Sequence, residues 1–514
     1  MASKKKWLSL IDPVNDTISG TRNTDNLDAR AEGDIVDGHR GNDKLGSTFN
    51  RTALIGGEDN DELTTKVVVP LQGSSAVHGL AIQFGDAGRD KLDATVTLQG
   101  GDVSSDGGGR AEVLLDGGKG NDTINAVANV AKAVFGDVTV TTTVFGGDGD
   151  DRINAVADSR GAVSGNDARN TVDGGRGDDH ITARAETFFS GIEARAINDL
   201  SGGDGNDVIE AIARGVSNGT ELVSNTLRGG RGNDTLHAFN LSDSNSAKPV
   251  GINELWGNDG NDVLEAIHST DGENTITDVT SRLHGGSGND RLAAESAAFG
   301  GSVSALNLLD GGTGRDVLSA RLDVKAHGGF GNGHDLYNAA NVLKGGGDND
   351  RLEAFLSVAA SQPVTDGSTA ENRLDGGGGN DVLVATVAEG SAGTSLLHGG
   401  SGNDRLTVVG GSANVLDGGS GKDRLTGGTG DDHLIGGRDA DWFIFAPGNG
   451  HDTLEFERDG DRIDLTAFAA SGIHTFDDLD IEVAGGDSII RFTADDDITV
   501  AGVDKLRADD FLFA

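Results

Sequence analysis

Gly117-Gly118-Lys119-Gly120-Asn121-Asp122-Thr123-Ile124, GGKGNDTI in one-letter code, decides how the rest of the chain is read. It is one of seventeen copies of a Gly-rich hexapeptide closed by an aspartate. The closing residues are Asp43, Asp61, Asp90, Asp122, Asp151, Asp179, Asp207, Asp234, Asp262, Asp290, Asp316, Asp350, Asp381, Asp404, Asp423, Asp432 and Asp441. An aliphatic or aromatic residue normally stands two places after the aspartate, as at Ile124, Leu236 and Leu406. Repeats of this kind set the architecture before any single helix or strand is assigned.

The hexapeptide has a physical reading. Glycines at its first, second and fourth places let the backbone take positive φ and turn its carbonyls inward. The closing aspartate adds a carboxylate. Carbonyls and carboxylates without sulfur or imidazole form a hard-oxygen site, which suits calcium, so the seventeen closing aspartates are the candidate metal ligands. The three residues that follow read as a short strand with its middle, apolar residue facing inward.

GGxGxDxUx, with U apolar, resembles the nonapeptide of RTX proteins, the haemolysin-type calcium-binding repeats. The resemblance runs over roughly residues 20–455. It implies an all-β fold, a parallel β-roll or β-solenoid, with calcium held between the loops of successive coils and a β-rich C-terminal cap.

Composition agrees. The 514 residues carry a formal charge of −42. Such a surface repels nucleic acid and anionic membranes and disfavours its own compaction, and divalent cations relieve that repulsion. Leu or Val before most loops and Ile or Leu after them distinguish the chain from a disordered acidic one. Aromatics make up only 4%, which a thin roll filled by Ala, Val, Leu and Ile tolerates. With no cysteine, the chain has no disulfide, thiolate site or thiol nucleophile.

Along the chain, residues 1–19 read as a short N-terminal cap. Trp7-Leu8-Ser9-Leu10-Ile11 is too short for a secretory leader, which needs about 7–15 apolar residues, and Asp12-Pro13 ends it. No stretch approaches the roughly 20 apolar residues of a membrane span. Residues 20–66 form a nonapeptide β-roll, in which Asp25, Asp34 and Asp43 stand nine apart, then Thr52 and Asp61. Two nonapeptides make one coil with a loop on each edge. Over 67–342 the interval lengthens to about 28 residues, one loop per coil. There the alternation in Thr123-Ile124-Asn125-Ala126-Val127-Ala128 puts Ile124, Ala126 and Ala128 on one face of a strand. This is a wider solenoid coil with calcium loops on one edge and variable turns, such as 242–251 and 269–274, on the other. Alternating Lys119, Asp148, Arg176, Asp204, Arg231 and Asp259 at the third loop place suggest charge pairing between stacked coils.

Residues 326–341 break the rhythm and gather His327, His334, Asp335 and Tyr337 in a divergent repeat. Other histidines beside loops, His284, His398 and His433, read as solvated. Residues 343–441 return to nonapeptides, with three consecutive loops closing at Asp423, Asp432 and Asp441. Because loops alternate edges, Asp423 and Asp441 should share one. Residues 442–514 hold eight of the 18 Phe and read as a C-terminal cap. Gly460-Asp461-Arg462-Ile463-Asp464-Leu465-Thr466-Ala467-Phe468, then Gly502-Val503-Asp504-Lys505-Leu506 and the ending Asp509-Asp510-Phe511-Leu512-Phe513-Ala514, resemble the cap of type I-secreted RTX proteins, including proteases and alginate epimerases. That resemblance implies an uncleaved C-terminal signal read by a type I ABC exporter of a Gram-negative cell, and an extracellular location.

The expected function follows. The chain stays unfolded where calcium is low and folds on calcium outside the cell, where sites need a Kd of only about 10⁻⁴–10⁻³ M. It is expected to be non-catalytic, with no catalytic residues, and to act on a cell surface, matrix or host. Its expected partners are calcium ions, the exporter during secretion and a surface or matrix component, with no nucleic acid and no transmembrane segment. An RTX-borne extracellular enzyme acting on polysaccharide or lipid, or a bacteriocin- or toxin-like protein, is the alternative. HExxH is absent.

Overall fold

A computed structural model describes residues 2–11, 15–71, 76–100, 108–131, 134–188, 193–216, 219–243, 248–271, 276–326, 336–360, 367–457 and 460–514. The chain is nearly all-β, 68% strand and 4% helix, with long parallel strands stacked in two sheets, as the repeats imply. It divides into two compact units, residues 1–279 and 280–514.

In the first unit one coil consists of a leading strand, the hexapeptide loop and a trailing strand. Gly109–Lys119 leads into the loop of Asp122, and Thr123–Ala131 leaves it. Leading strands pair in parallel with leading strands, as Leu115 with Val144 one coil on. Trailing strands do the same, with Ile124 opposite both Leu92 and Ile153. Period-2 alternation then sends every second side chain inward. Ile124, Ala126 and Ala128 are buried on one face of their strand, where the sequence places them. The alanine-rich stretch is strand because each coil must match its neighbour's register, and this overrides helix propensity.

Two inner rows set the width of the roll. One runs Leu92, Ile124, Ile153, Ile181, Ile209, Leu236 and Leu264, and the next is Ala94, Ala126, Ala155, Ala183, Ala211, Ala238 and Ala266. Each buried Leu or Ile contributes roughly 1.5–3 kcal/mol, an upper estimate given a compact unfolded chain. The alanine row keeps the two sheets close.

The opening helix Ala2–Leu8 lies on the outer face of the leading sheet. Trp7 packs between Phe84 at 5.7 Å and Phe145 at 5.6 Å. Its cluster includes Ile11, Ala53, Ile55, Leu80, Ile82 and Leu114. The strand Val77–Ala87 is therefore buried on both faces along most of its length.

In the second unit the coils tighten towards the C-terminus. Successive first-edge aspartates are 34 residues apart at Asp316–Asp350, then 31, 23, 19 and 18 by Asp423–Asp441. Trailing strands shrink in step, from Arg351–Ala360 to Arg424–Thr426. Beyond Asp441 the roll changes character. Leading strand His451–Glu455 pairs in parallel with Asp496–Ala501, and trailing strand Arg462–Asp464 pairs with the terminal Phe511–Leu512. Strands Asp480–Ala484 and Asp487–Thr493 continue from Asp496–Ala501 as an antiparallel meander. Phe443, Phe445, Phe468 and Phe511 are buried here. The cap also contains a 3-10 turn, Thr466–Ser471, which buries Phe468.

Candidate metal centre

The closing aspartates stand one above another and are wired by hydrogen bonds. In the first unit the backbone N–H of Asp43 donates to Asp61 Oδ1 at 2.7 Å, Asp61 to Asp90 at 2.8 Å, and Asp90 to Asp122 at 2.7 Å. The ladder continues through Asp151, Asp179, Asp207 and Asp234 to Asp262. In the second unit it runs from Asp290 through Asp316, Asp350, Asp381, Asp404 and Asp423 to Asp441. Asp423 and Asp441 thus share one edge. Asp432 stands on the other edge, where Asn414 and Asp432 are linked at 2.9 Å and Asp432 and Asp452 at 2.9 Å.

One carboxylate oxygen makes the ladder and the other is left over. Oδ2 of Asp43, Asp61, Asp90, Asp122, Asp151, Asp179, Asp207, Asp234, Asp316, Asp350, Asp381, Asp404, Asp423, Asp432 and Asp441 is buried without a hydrogen-bond partner. The first unit's ladder starts one rung earlier, at Asp25, whose N–H donates to Asp43 Oδ1 at 2.6 Å, and the second unit's runs one rung further, to Asp461, whose Oδ1 accepts the Asp441 N–H at 2.9 Å; at these two residues the pattern changes. Asp25 Oδ2 accepts the Thr21 N–H and hydroxyl at 2.6 and 2.9 Å, and Asp461 Oδ2 accepts the Glu457 N–H at 2.7 Å. The Oδ2 atoms of Asp25 and Asp461 are satisfied by protein, and those of the fifteen aspartates named above are not. An orphaned buried carboxylate oxygen costs stability unless something charged meets it.

The glycines define the space around Oδ2. A Cβ on Gly117 would lie 2.5 Å from Asp122 Oδ2 and 2.5 Å from the Gly146 carbonyl of the next coil. The first glycine keeps a negative-φ backbone, contrary to the expectation that all three take positive φ. It is required because a side chain would fill the cradle shared by the carboxylate and that carbonyl. Gly118 and Gly120 do take positive φ, 101° and 116°. Their missing side chains let them sit on the Asp86 and Gly88 carbonyls of the preceding coil. Among the described residues no three His, Cys, Asp or Glu side chains converge. A cation here would take one aspartate oxygen and complete its shell from backbone carbonyls, a donor set that suits calcium.

Electrostatics point the same way. Burial pushes Asp122 and Asp179 up to about 8, Asp61, Asp350 and Asp423 to about 7, and Asp90, Asp151, Asp207, Asp234, Asp316, Asp404, Asp432 and Asp441 to about 6. The N–H bond of the ladder opposes this, and neighbouring aspartates, such as Asp90 and Asp151 around Asp122, add to it. Without a counter-ion the ladder is a column of carboxylates held against their preference.

Several participants escape a reading of the consensus alone. Asp452 closes Pro447-Gly448-Asn449-Gly450-His451-Asp452 with Leu454 two places on, and the proline in place of the first glycine disguised it. Asp34, beside the early nonapeptides, holds the N–H groups of Arg30 and Ala31 at 2.8 Å on Oδ2 and buries Oδ1 without a partner. The fifth place carries a second, outer ladder running the opposite way. The Asn206 N–H donates to Asp178 at 2.7 Å, Asn233 to Asn206 at 2.8 Å and Asn261 to Asn233 at 2.8 Å. Asn or Asp recurs there in most copies, which was the available signal.

The third-place charges pair as expected, Arg176 with Asp148 at 3.2 Å and Arg231 with Asp204 at 3.3 Å. His398 and His433, read as solvated, are half-exposed but face Asp417 at 3.3 Å and Glu455 at 3.2 Å on adjacent coils, and His284 stands 4.0 Å from Asp310. Stacking places a carboxylate beside each ring, which the linear sequence conceals. Of the cluster at 326–341, His327, His334 and Asp335 lie outside the described residues, and Tyr337 is buried in the strand Leu336–Gly347.

A sequence profile of the RTX calcium-binding nonapeptide repeat (4 copies) matches residues 12–45, 108–126, 143–158, 163–185, 196–211, 224–240, 250–266, 281–297, 366–386, 385–412, 408–443 and 417–454. A search of the curated proteins finds no match. The matched segments hold most of the loops whose aspartates form the ladders, and the chain carries RTX calcium-binding nonapeptide repeats from near its start to residue 454.

Proposed function

We propose that this calcium-binding RTX protein is secreted, folds on calcium outside the cell and works without catalysis as a surface, matrix or host-interaction factor. The observation that carries the reading is the set of buried, partnerless Oδ2 atoms on fifteen of the repeat aspartates. Their aspartates are the proposed calcium ligands. Inside a cell, with calcium scarce, the 83 acidic residues against 41 basic ones favour an extended chain that a type I exporter can thread. No helix among the described residues is long and apolar enough to cross a membrane.

Magnitudes decide whether calcium can drive the fold. At a calcium concentration tenfold above Kd, each site contributes about 1.4 kcal/mol. Ten such sites sum to about 14 kcal/mol, near the top of the roughly 5–15 kcal/mol that holds a whole domain together. Because each loop rests on the carbonyls of the coil before it, sites form together and the transition is cooperative.

Far-UV circular dichroism and ion stoichiometry during calcium titration of EGTA-stripped protein test the reading. A cooperative coil-to-β transition near millimolar calcium, absent with magnesium, is expected. Stripped protein that is already fully β and indifferent to calcium would sink it.

A further inference from the structure

The second edge ends in an arrangement that the repeats do not contain. Its last loop, Pro447–Asp452, is followed by no further hexapeptide. The strand stacked next on His451–Glu455 is Asp496–Ala501, from the C-terminal hairpin formed with Asp487–Thr493. In that register Asp452 lies opposite Ile498, where another coil would place its closing aspartate. Asp496, two residues earlier, brings a carboxylate to this end from a different backbone position. Its Oδ2 accepts the Gly448 N–H at 2.9 Å, and the Asp497 N–H donates to the Gly450 carbonyl at 2.9 Å. The hairpin thus docks on the loop through two backbone groups.

Three oxygens remain. Asp496 Oδ1, Asn449 Oδ1 and Asp432 Oδ2 are buried and have no hydrogen-bond partner, and their residues are only 5%, 3% and 2% exposed. Asn449 Nδ2 is spent on Asp452 Oδ2 at 2.5 Å, which fixes the amide with its oxygen left over. The Asp432 N–H donates to the other oxygen of the same carboxylate, Asp452 Oδ1, at 2.9 Å, which ties Asp432 to this loop. A neutral side chain would serve Gly448 equally well. A buried carboxylate oxygen left without a partner is stabilised when a cation meets it.

We propose that Asp432, Asn449 and Asp496 hold a divalent hard cation, calcium by donor type, that latches the C-terminal hairpin to the last loop of the second edge. The proposal rests on the reading that the repeat aspartates take calcium, and extends it to a site whose decisive ligand lies outside the repeats. Carboxylate and amide oxygens with neighbouring carbonyls form the shell, as hard-oxygen chemistry requires. Calcium then fixes the end of the sheet, where an open edge would invite pairing with another chain.

Hydrogen-exchange mass spectrometry of the full chain across a calcium titration tests the latch, comparing wild type with Asp496→Asn. The asparagine oxygen still accepts the Gly448 N–H but carries no charge, so a merely structural role survives the change. The expected result is that residues 487–501 gain protection with calcium in the wild type and need roughly tenfold more calcium, or never gain it, in the variant. Residues 394–409, which carry the Asp404 loop and no latch ligand, should respond alike in both proteins. A hairpin equally protected in wild type and variant, or protected in EGTA, overturns the latch while leaving the repeat reading intact. If calcium protects neither segment, both readings fall.

Discussion

The backbone N–H of Asp122 donates to Oδ1 of Asp151, 29 residues further on, at 2.7 Å. Through this bond each aspartate organises the coil before its own while its second oxygen faces the cradle of its own loop. Asp151→Ala should therefore damage two coils at once. The Asp122 N–H, which is buried, loses its acceptor, at a cost of about 1–3 kcal/mol, and one calcium ligand disappears. The calcium midpoint read by circular dichroism should rise and the transition broaden. Asp150→Ala, at the exposed fifth place, removes only an outer acceptor and should shift the midpoint far less. Equal shifts would mean that the inner ladder has no special role.

Acidity should partly replace calcium. The ladder aspartates have folded-state pKa values above the unfolded value of 3.8, with Asp122 and Asp179 at about 8 and Asp90 and Asp207 at about 6. Between these limits the folded state binds more protons than the unfolded one. Its stability is therefore fully present below the unfolded pKa and is lost as pH rises through about 6–8. In EGTA, β content should be greater at pH 5.5 than at pH 8, conditions chosen to bracket that window. With calcium the dependence should flatten, because metal displaces the protons. Circular dichroism against pH in EGTA checks this, and a β signal that grows with pH would contradict it.

The glycines divide into classes that mutagenesis can separate. Gly117→Ala leaves an allowed backbone conformation but drives a methyl group into Asp122 Oδ2 and the Gly146 carbonyl. Its main effect should be on calcium affinity. Gly120→Ala adds a positive φ of 116° to a collision with the Gly88 carbonyl, and should lower thermal stability even in saturating calcium. Gly347 has no positive φ and open space where a Cβ would stand. Gly347→Ala should be neutral or stabilise by up to about 1 kcal/mol. Calcium titration and melting of the three variants together give the ordering.

Much of this was legible because the repeat forces it. Asp122 and its equivalents are found by spacing, and Ile124, Ala126 and Ala128 by alternation, since stacking in register makes each coil repeat the same local chemistry. What the sequence concealed depends on neighbours in the next coil. Nothing near Asp496 in the chain says that it docks on Gly448, 48 residues earlier. His398 looks solvated until Asp417 is stacked beside it. His268 is likewise invisible in sequence. It is wholly buried, kept neutral by burial that lowers its pKa to about 3, and it lies where a side chain on Gly251 would otherwise stand. The inner asparagines follow the same rule, although they recur four places before the loop glycines at Asn170, Asn198, Asn225 and Asn253.

Those asparagines form a polar spine inside the first unit. Thr142 donates to Asn170 at 2.7 Å, Asn170 to Asn198 at 2.8 Å, Asn198 to Asn225 at 2.8 Å and Asn225 to Asn253 at 3.0 Å. Asn198 and Asn225 also reach across to the carbonyls of Ile212 and Phe239 on the trailing sheet, tying the two sheets together. Asn225 is fully buried. Asn225→Leu would leave the Asn198 amide and the Asn253 oxygen each short of a partner and the Phe239 carbonyl without its side-chain donor. Each loss costs about 1–3 kcal/mol where no water replaces it. Leucine keeps the branching at Cγ and opens no cavity, but its methyl groups are bulkier than the amide atoms, so some overpacking adds to the lost hydrogen bonds. We expect calcium-saturated Asn225→Leu to melt several degrees below the wild type, with calcium stoichiometry unchanged because no loop ligand is touched. Asn206→Ala, which removes an exposed rung of the outer ladder, should melt closer to the wild type. If the two variants melt alike, the spine does not hold the sheets together and the apolar rows alone do so.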